Sequence, residues 1–440
     1  MTAVAALAVL AATGVIGYRV LTPADTLVAA SSPYPLAPSV GPVRYGELVS
    51  APLIVDGRLR IYAEARRVWA DAELTARREV TPFWSFRRWP AEVAGVVAVE
   101  GRTEGLAVVI VKYSDGVVIA LDARTGRIVW QDANRASERD RYEGRRTGAQ
   151  TVLAPGGLFT ARSYAGDSTV LIVAGGDQVR GYDPWTGDRK WEHTFTENPG
   201  CHDIDWTGET TYVAKDSCAS PAHLDIFDAA SGKVLGRWRV PGASAGPAEE
   251  ANWYAEPVSC VRGRSGCRMI HAQGTSQPLS TAELYRNGVP PVVPIWRLNQ
   301  DGTITPEPHA KSERPYQLGE TLVQEEVKDS GHVKVVLRDT GAELWRSDEA
   351  MKLLAVNHFG VFGLTSDFRL VVLHPATGRK LSETDLLRRR PSTEKWVVGY
   401  VDVVDQMVVV ERTTTANPRE SDDRYYYGPS PVVIAGVNPS

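Results

Sequence analysis

Beyond residue 44 the apolar positions fall in short runs of four to eight residues, rich in valine and isoleucine. They lie at 93–99, 106–111, 170–174, 333–337, 361–364, 397–404 and 407–410. Runs of that length and β-branched character, bounded by glycine, proline and polar residues, predict β-strands. After residue 30 no long stretch repeats its apolar residues with a period of 3.6, so an array of helices is a poor alternative.

The polar residues between the runs repeat as well. Residues 120–130 read ALDARTGRIVW and residues 181–191 read GYDPWTGDRKW. In the first, Asp122 and Thr125 are turn formers, Gly126 takes the positive φ of a tight turn, and an apolar run ending in Trp130 resumes. Asp183, Gly187 and Trp191 repeat that order. Asp228 and Gly232 repeat its first half, Gly341 and Trp345 form a version one residue shorter, and at Gly378 a histidine, His374, replaces the aspartate. Each copy predicts a hairpin. One interval between turn glycines, from 232 to 341, is about twice the others and implies a copy with altered lettering.

A repeated unit of about 50 residues holding several short strands is the size of a propeller blade. The expected fold is therefore all-β: a propeller of four-stranded antiparallel blades over residues 44–440, seven by our parse, with eight the alternative. The apolar segment 431–437 is placed to complete the first blade's sheet and close the ring.

The N-terminus follows another pattern. Residues 2–18 carry no charge, and 17 residues of helix span roughly 25 Å, close to a bilayer core. Residues 1–21 read as a signal anchor or a cleaved signal peptide, although no lysine or arginine precedes the run and Arg19 follows it. A buried core helix is the plain structural reading. Residues 22–43, rich in proline, serine and alanine, read as a linker. The expected location is the inner membrane, single-pass, with the propeller on the extracytoplasmic side, or a secreted form after cleavage.

Charge and cysteine usage narrow the classes. A net charge of −4 argues against nucleic-acid binding, which needs a basic face. The four cysteines are Cys201, Cys218, Cys260 and Cys267. Export permits disulfides, and the pairing 201–218 with 260–267 closes the shortest loops. With no C-x-x-C, a zinc site is the weaker alternative.

The hairpin lettering resembles the quinoprotein-like (PQQ-type) β-propeller repeats, whose tryptophan-docking motif is matched by Ala120, Asp122, Thr125, Gly126 and Trp130, and nearly so by Asp183, Thr186, Gly187 and Trp191. The resemblance covers most of residues 90–390. It implies that each tryptophan packs between blades against the adjoining turn. The family's enzymes hold pyrroloquinoline quinone and calcium on the propeller axis. Many of its alcohol dehydrogenases set two adjacent cysteines against the quinone, and no two cysteines here are adjacent. Its non-catalytic branch includes an outer-membrane assembly factor that grips partner proteins. The plan of anchor, linker and divergent propeller resembles an exported propeller working beside the trehalose monomycolate exporter of mycolate-making actinobacteria. The resemblance thus implies a monomeric, non-enzymatic binding module without cofactor. Its partner would be an envelope glycolipid or an inner-membrane transport protein.

Candidate binding residues are few. FWSFRRWP at 83–90 sets Trp84, Arg87, Arg88 and Trp89 together, which suits a glycan, headgroup or protein partner. The plainer reading makes Trp84 a docking tryptophan like Trp130. Trp253 and Tyr254, expected in a connection between blades, are candidates for lining an axial pocket. HDIDW at 202–206 holds metal-ligand types, but alternation splits them between two faces. The polar tracts 131–148 and 412–431 are long for blade connections. No nucleophile elbow, zinc-protease, P-loop or dinucleotide signature occurs.

Overall fold

The computed structural model describes residues 24–37, 41–72, 81–101, 103, 105–132, 146–163, 168–196, 201–202, 204–216, 223–242, 253–274, 294–312, 314–326, 331–387, 395–415 and 423–437. The 2–18 segment, Asp203, Cys218 and residues 133–145 and 416–422 of the two polar tracts lie outside these residues. Among the described residues no helix is long and apolar enough to cross a membrane.

Blade 1 is Leu53–Val55, Leu59–Glu64, Arg67–Asp71 and Trp84–Trp89. Blade 2 runs from Val93–Glu100 to Ile128–Asp132, blade 3 from Leu158–Arg162 to Arg189–Thr194, and blade 4 from Ile204–Thr207 to Val234–Arg239. Blade 5 runs from Trp253–Val258 to Ile304–Pro306. Blades 6 and 7 form one continuous sheet, because the strand Glu343–Val356 ends the first and opens the second. Its Arg346 pairs with Lys334 and its Met351 with Thr365.

Blade 8 joins the two ends of the fold. Val397–Val404, Met407–Thr413 and Val432–Gly436 take the early strand Arg44–Leu48 as their outer member. Ile434 sits opposite both Val409 and Gly46. The strand sets among the described residues thus number eight, the second of the two counts the sequence allowed. The seven-unit parse merged Arg44–Leu48 with the strands after residue 53. In the fold those strands have a complete sheet of their own, and the C-terminal run closes a separate blade.

The core lies between sheets. Leu53, Val93, Val409 and Ile434 share one cluster across blades 8, 1 and 2, while Leu354, Phe362, Val408 and Val433 share another across blades 7 and 8. Each seam of the repeat type is pinned by a tryptophan. Trp84 Nε1 donates to Ala123 O at 2.8 Å, Trp130 to Pro184 O at 2.8 Å, Trp191 to Ala229 O at 2.9 Å and Trp345 to Pro375 O at 2.8 Å. In every case the acceptor lies in the next blade's turn. Asp122 Oδ1 shapes that turn in blade 2 by accepting from the backbone of Arg124 (2.8 Å) and Thr125 (3.0 Å). Gly126 has φ +72°, and a Cβ there would lie 2.8 Å from the Trp84 ring. Glycine is needed twice over, for the dihedral and for the close approach.

The altered copy is blade 5. Its turn glycine, Gly302, packs against Leu235 and Ile226 of blade 4, and at the next seam Gly341 meets the imidazole of His309 where Gly126, Gly187, Gly232 and Gly378 meet indole.

The linker expectation needs correcting. Ala24–Val28 adds a fifth strand to blade 1, with Ala24 opposite Trp89 and Val28 opposite Ser85. Ala30 N–H then donates to Thr125 O in the blade 2 turn (3.1 Å). Tyr34 lies between the guanidinium groups of Arg58 and Arg124, 5.5 and 5.4 Å from its ring centre. This stretch straps blades 1 and 2 together.

Candidate functional site

Two regions remain once the seams are explained: the axis and the outer edge of blade 1. At the axis the hairpin 260–267 is closed by the Cys260–Cys267 disulfide, as the spacing predicts. Cys201 is also disulfide-bonded, and Cys218 lies outside the described residues. The clasped hairpin reaches blades that are not its neighbours. Arg262 Nε bonds Asp402 of blade 8 (3.1 Å), and Ser265 Oγ accepts from Thr160 N of blade 3 (3.1 Å). In blade 4, Thr207 N donates to Arg264 O (3.0 Å) and Thr207 O accepts from Cys267 N (2.8 Å). Inner strands of blades 3, 4, 5 and 8 converge only at the centre of the ring.

The short helix α1 (Ala149–Leu153) enters the same space against Val93–Glu100 and Val397–Val404. Its Ala149, Val152 and Leu153 are buried, and a Cβ on Gly263 would lie 2.7 Å from Leu153 O. Thr147 Oγ1, just upstream, donates to the buried Glu411 (2.5 Å). Glu100, at the end of the blade 2 inner strand, accepts from Asp56 N (2.8 Å). The turn Gly263–Arg264 is packed inward, while Val261, beside Cys260 at the hairpin's base, is 76% exposed.

The FWSFRRWP cluster divides. Trp84 is the docking tryptophan of the first seam and is fully buried. Arg88 turns inward and holds Asp25 at 2.8 Å and Asp115 at 2.9 Å, tying the added strand to blades 1 and 2. Arg87 and Trp89 face outward and, with Ala24 and Thr26, line a cavity of about 330 Å³. Arg66, which sequence reasoning missed, lies 4.5 Å over the Trp89 ring. It sits in a hairpin bend, and only strand pairing brings it to residue 89.

Trp253 and Tyr254 belong elsewhere. They open the inner strand of blade 5, so the expected connection is a strand. Lys215 Nζ lies 4.5 Å over the Trp253 ring, and the Tyr254 hydroxyl donates to Glu256. In HDIDW, His202 stacks on Phe195 (3.8 Å), Asp205 accepts from the Tyr212 hydroxyl (2.9 Å) and Trp206 is fully buried. These are packing roles. Among the described residues no group of three or more His, Cys, Asp or Glu is placed to hold a metal.

His271, on the second strand of blade 5, titrates with a measurable consequence. Burial, reinforced by Arg314, lowers its pKa to about 4. The unfolded chain takes a proton near pH 6.5 while the folded chain does not, so stability falls as pH drops from 6.5 towards 4. The expected loss from this residue is about 3 kcal/mol at pH 4. Urea midpoints between pH 7 and 4 for wild type and His271→Gln check it, and the variant should show the shallower fall.

Comparison with known proteins adds the following. Residues 44–167 match the family model described as outer membrane protein assembly factor BamB. The BamB protein of Burkholderia pseudomallei is 30% identical over 162 residues, covering 36% of this chain. That match spans 38% of the relative's own length. Among solved structures, BamB from Moraxella catarrhalis is 14% identical with a TM-score of 0.43, covering 93% of this chain and 97% of that one. A quinohemoprotein alcohol dehydrogenase from Comamonas testosteroni is 14% identical with a TM-score of 0.37, covering 93% and 76%. The sequence matches support a PQQ-type propeller repeat over residues 44–167.

Proposed function

We propose that this chain is a non-enzymatic binding propeller of the bacterial cell envelope. Residues 2–18 tether it to the inner membrane with the ring on the extracytoplasmic side, and it acts as a scaffold in envelope assembly. The ligand class is an envelope glycolipid, of which trehalose monomycolate is the leading candidate, or an inner-membrane transport protein.

The observation that carries the reading is the clasped hairpin, which bonds blades 3, 4 and 8 across the centre of the ring. In the quinoprotein enzymes that the repeats resemble, this is where the cofactor is held. Here α1 and the clasped hairpin place their own backbone and side chains there, bound to four blades. The match of residues 44–167 to an assembly-factor model supports the same side of the family. A rigid ring that spends its centre on internal contacts leaves its loops and edges for recognition. Two readings compete: a diverged quinone-dependent oxidoreductase, and a scaffold that binds proteins only.

Native mass spectrometry of the protein extracted from its own membrane tests the proposal. A co-purifying envelope glycolipid or inner-membrane transport protein is expected. Protein partners other than a transport protein, without lipid, favour the pure scaffold, and bound quinone overturns the proposal.

A further inference from the structure

The described chain begins at Ala24, paired with Trp89 on the outer edge of blade 1. Only residues 19–23 separate this point from the uncharged segment 2–18, and five residues reach at most about 18 Å. A tethered ring therefore has this edge within reach of the bilayer surface.

That edge is built unlike a neutral sheet margin. Arg67 lies directly opposite Arg87 on the neighbouring strand. Like charges facing each other across strands destabilise a sheet. Both guanidinium groups sit over tryptophan, Arg67 5.3 Å from the Trp69 ring centre and Arg87 5.8 Å from that of Trp89. Arg66 caps Trp89 from the hairpin bend. The opposing charge nearby is partial. Glu92 lies 3.4 Å from Arg66 and Glu64 stands opposite Arg67, while Asp25 and Asp115 are taken by Arg88 on the inward face. Arg87 makes no ion pair among the described residues. Tryptophan beside arginine on the two strands next to the rim matches what anchors proteins at the level of lipid head groups.

We propose that the Arg66–Arg67–Arg87–Trp89 edge docks on the anionic phospholipid head groups of the membrane that holds residues 2–18. The ring then stands on its blade 1 rim, with the opposite blades turned away from the bilayer. The inference rests on the tether reading above.

The test uses the full chain in lipid nanodiscs of phosphatidylcholine alone or mixed with phosphatidylglycerol. Arginines are modified with phenylglyoxal and quantified by mass spectrometry. With phosphatidylglycerol, modification of Arg66, Arg67 and Arg87 should slow about fivefold, while Arg189 in blade 3 and Arg379 in blade 7 keep their rates. Equal rates in both discs overturn the proposal. Equal protection by inorganic phosphate in phosphatidylcholine discs also overturns it, since the site would then be one for a free anion. Protein that does not elute with the discs removes the tether reading and this inference with it, an outcome distinct from either labelling result.

Discussion

Replacing Trp84 with alanine lowers the unfolding free energy by about 4 kcal/mol. The indole is fully buried, fills the seam between blades 1 and 2, and lies on the Gly126 turn. Truncation leaves a cavity that the rigid turn cannot close and strands the Ala123 carbonyl, which loses the 2.8 Å bond from Nε1. Trp84→Phe separates the two contributions. It keeps most of the buried ring and loses the hydrogen bond, about 1–1.5 kcal/mol. Guanidinium unfolding midpoints of the three proteins check the order. An alanine variant within 1 kcal/mol of wild type would show that the seam is not held by docking.

Ile434→Asp is expected to cost more than 5 kcal/mol and to open the ring. Ile434 lies at the centre of blade 8, with no exposed surface, between a strand from the C-terminal end and one from the N-terminal end. A carboxylate there has no partner, and protonating it still leaves a buried polar group. The last strand should leave the sheet, and the strand Arg44–Leu48, which pairs only with it, should follow. Limited proteolysis reads the release as rapid cleavage between residues 41 and 52, whereas Ile434→Val, costing about 1 kcal/mol, stays resistant. A resistant aspartate variant would mean that the ring is closed by other contacts.

The seams were legible because the same side chains that make the turn also write its lettering. Asp122, Gly126 and Trp130 act within 9 residues of one another in sequence, so their pattern survives as text. Blade 5 was hidden for the same reason: its Gly302 meets Leu235, an aliphatic residue with no signature. His309 likewise replaces a tryptophan at the next seam.

The strand Ala24–Val28 escaped because it is exposed throughout and shows no apolar alternation; it is held by backbone pairing and by Asp25 on Arg88. Closure at 431–437 was anticipated, but its partner sheet was misassigned, because strand pairing between chain ends leaves no local mark. The candidate site was legible in part. Arg87 and Trp89 face outward together, Trp84 and Arg88 do not, and Trp253 and Tyr254 lie on another blade. The inward or outward aim of each residue depends on where the strand begins, which one residue of slip reverses. That the clasped hairpin reaches across the ring was not legible at all, since it depends on Arg262 meeting Asp402, 140 positions away.

Whether the ring binds or catalyses turns on its centre. Isothermal titration of the purified chain with pyrroloquinoline quinone and calcium, followed by a dye-reduction assay with primary alcohols, addresses that point directly. An axis occupied by α1 and the 260–267 hairpin predicts no saturable heat and no reduced dye. Saturable binding with alcohol-dependent turnover would contradict the account.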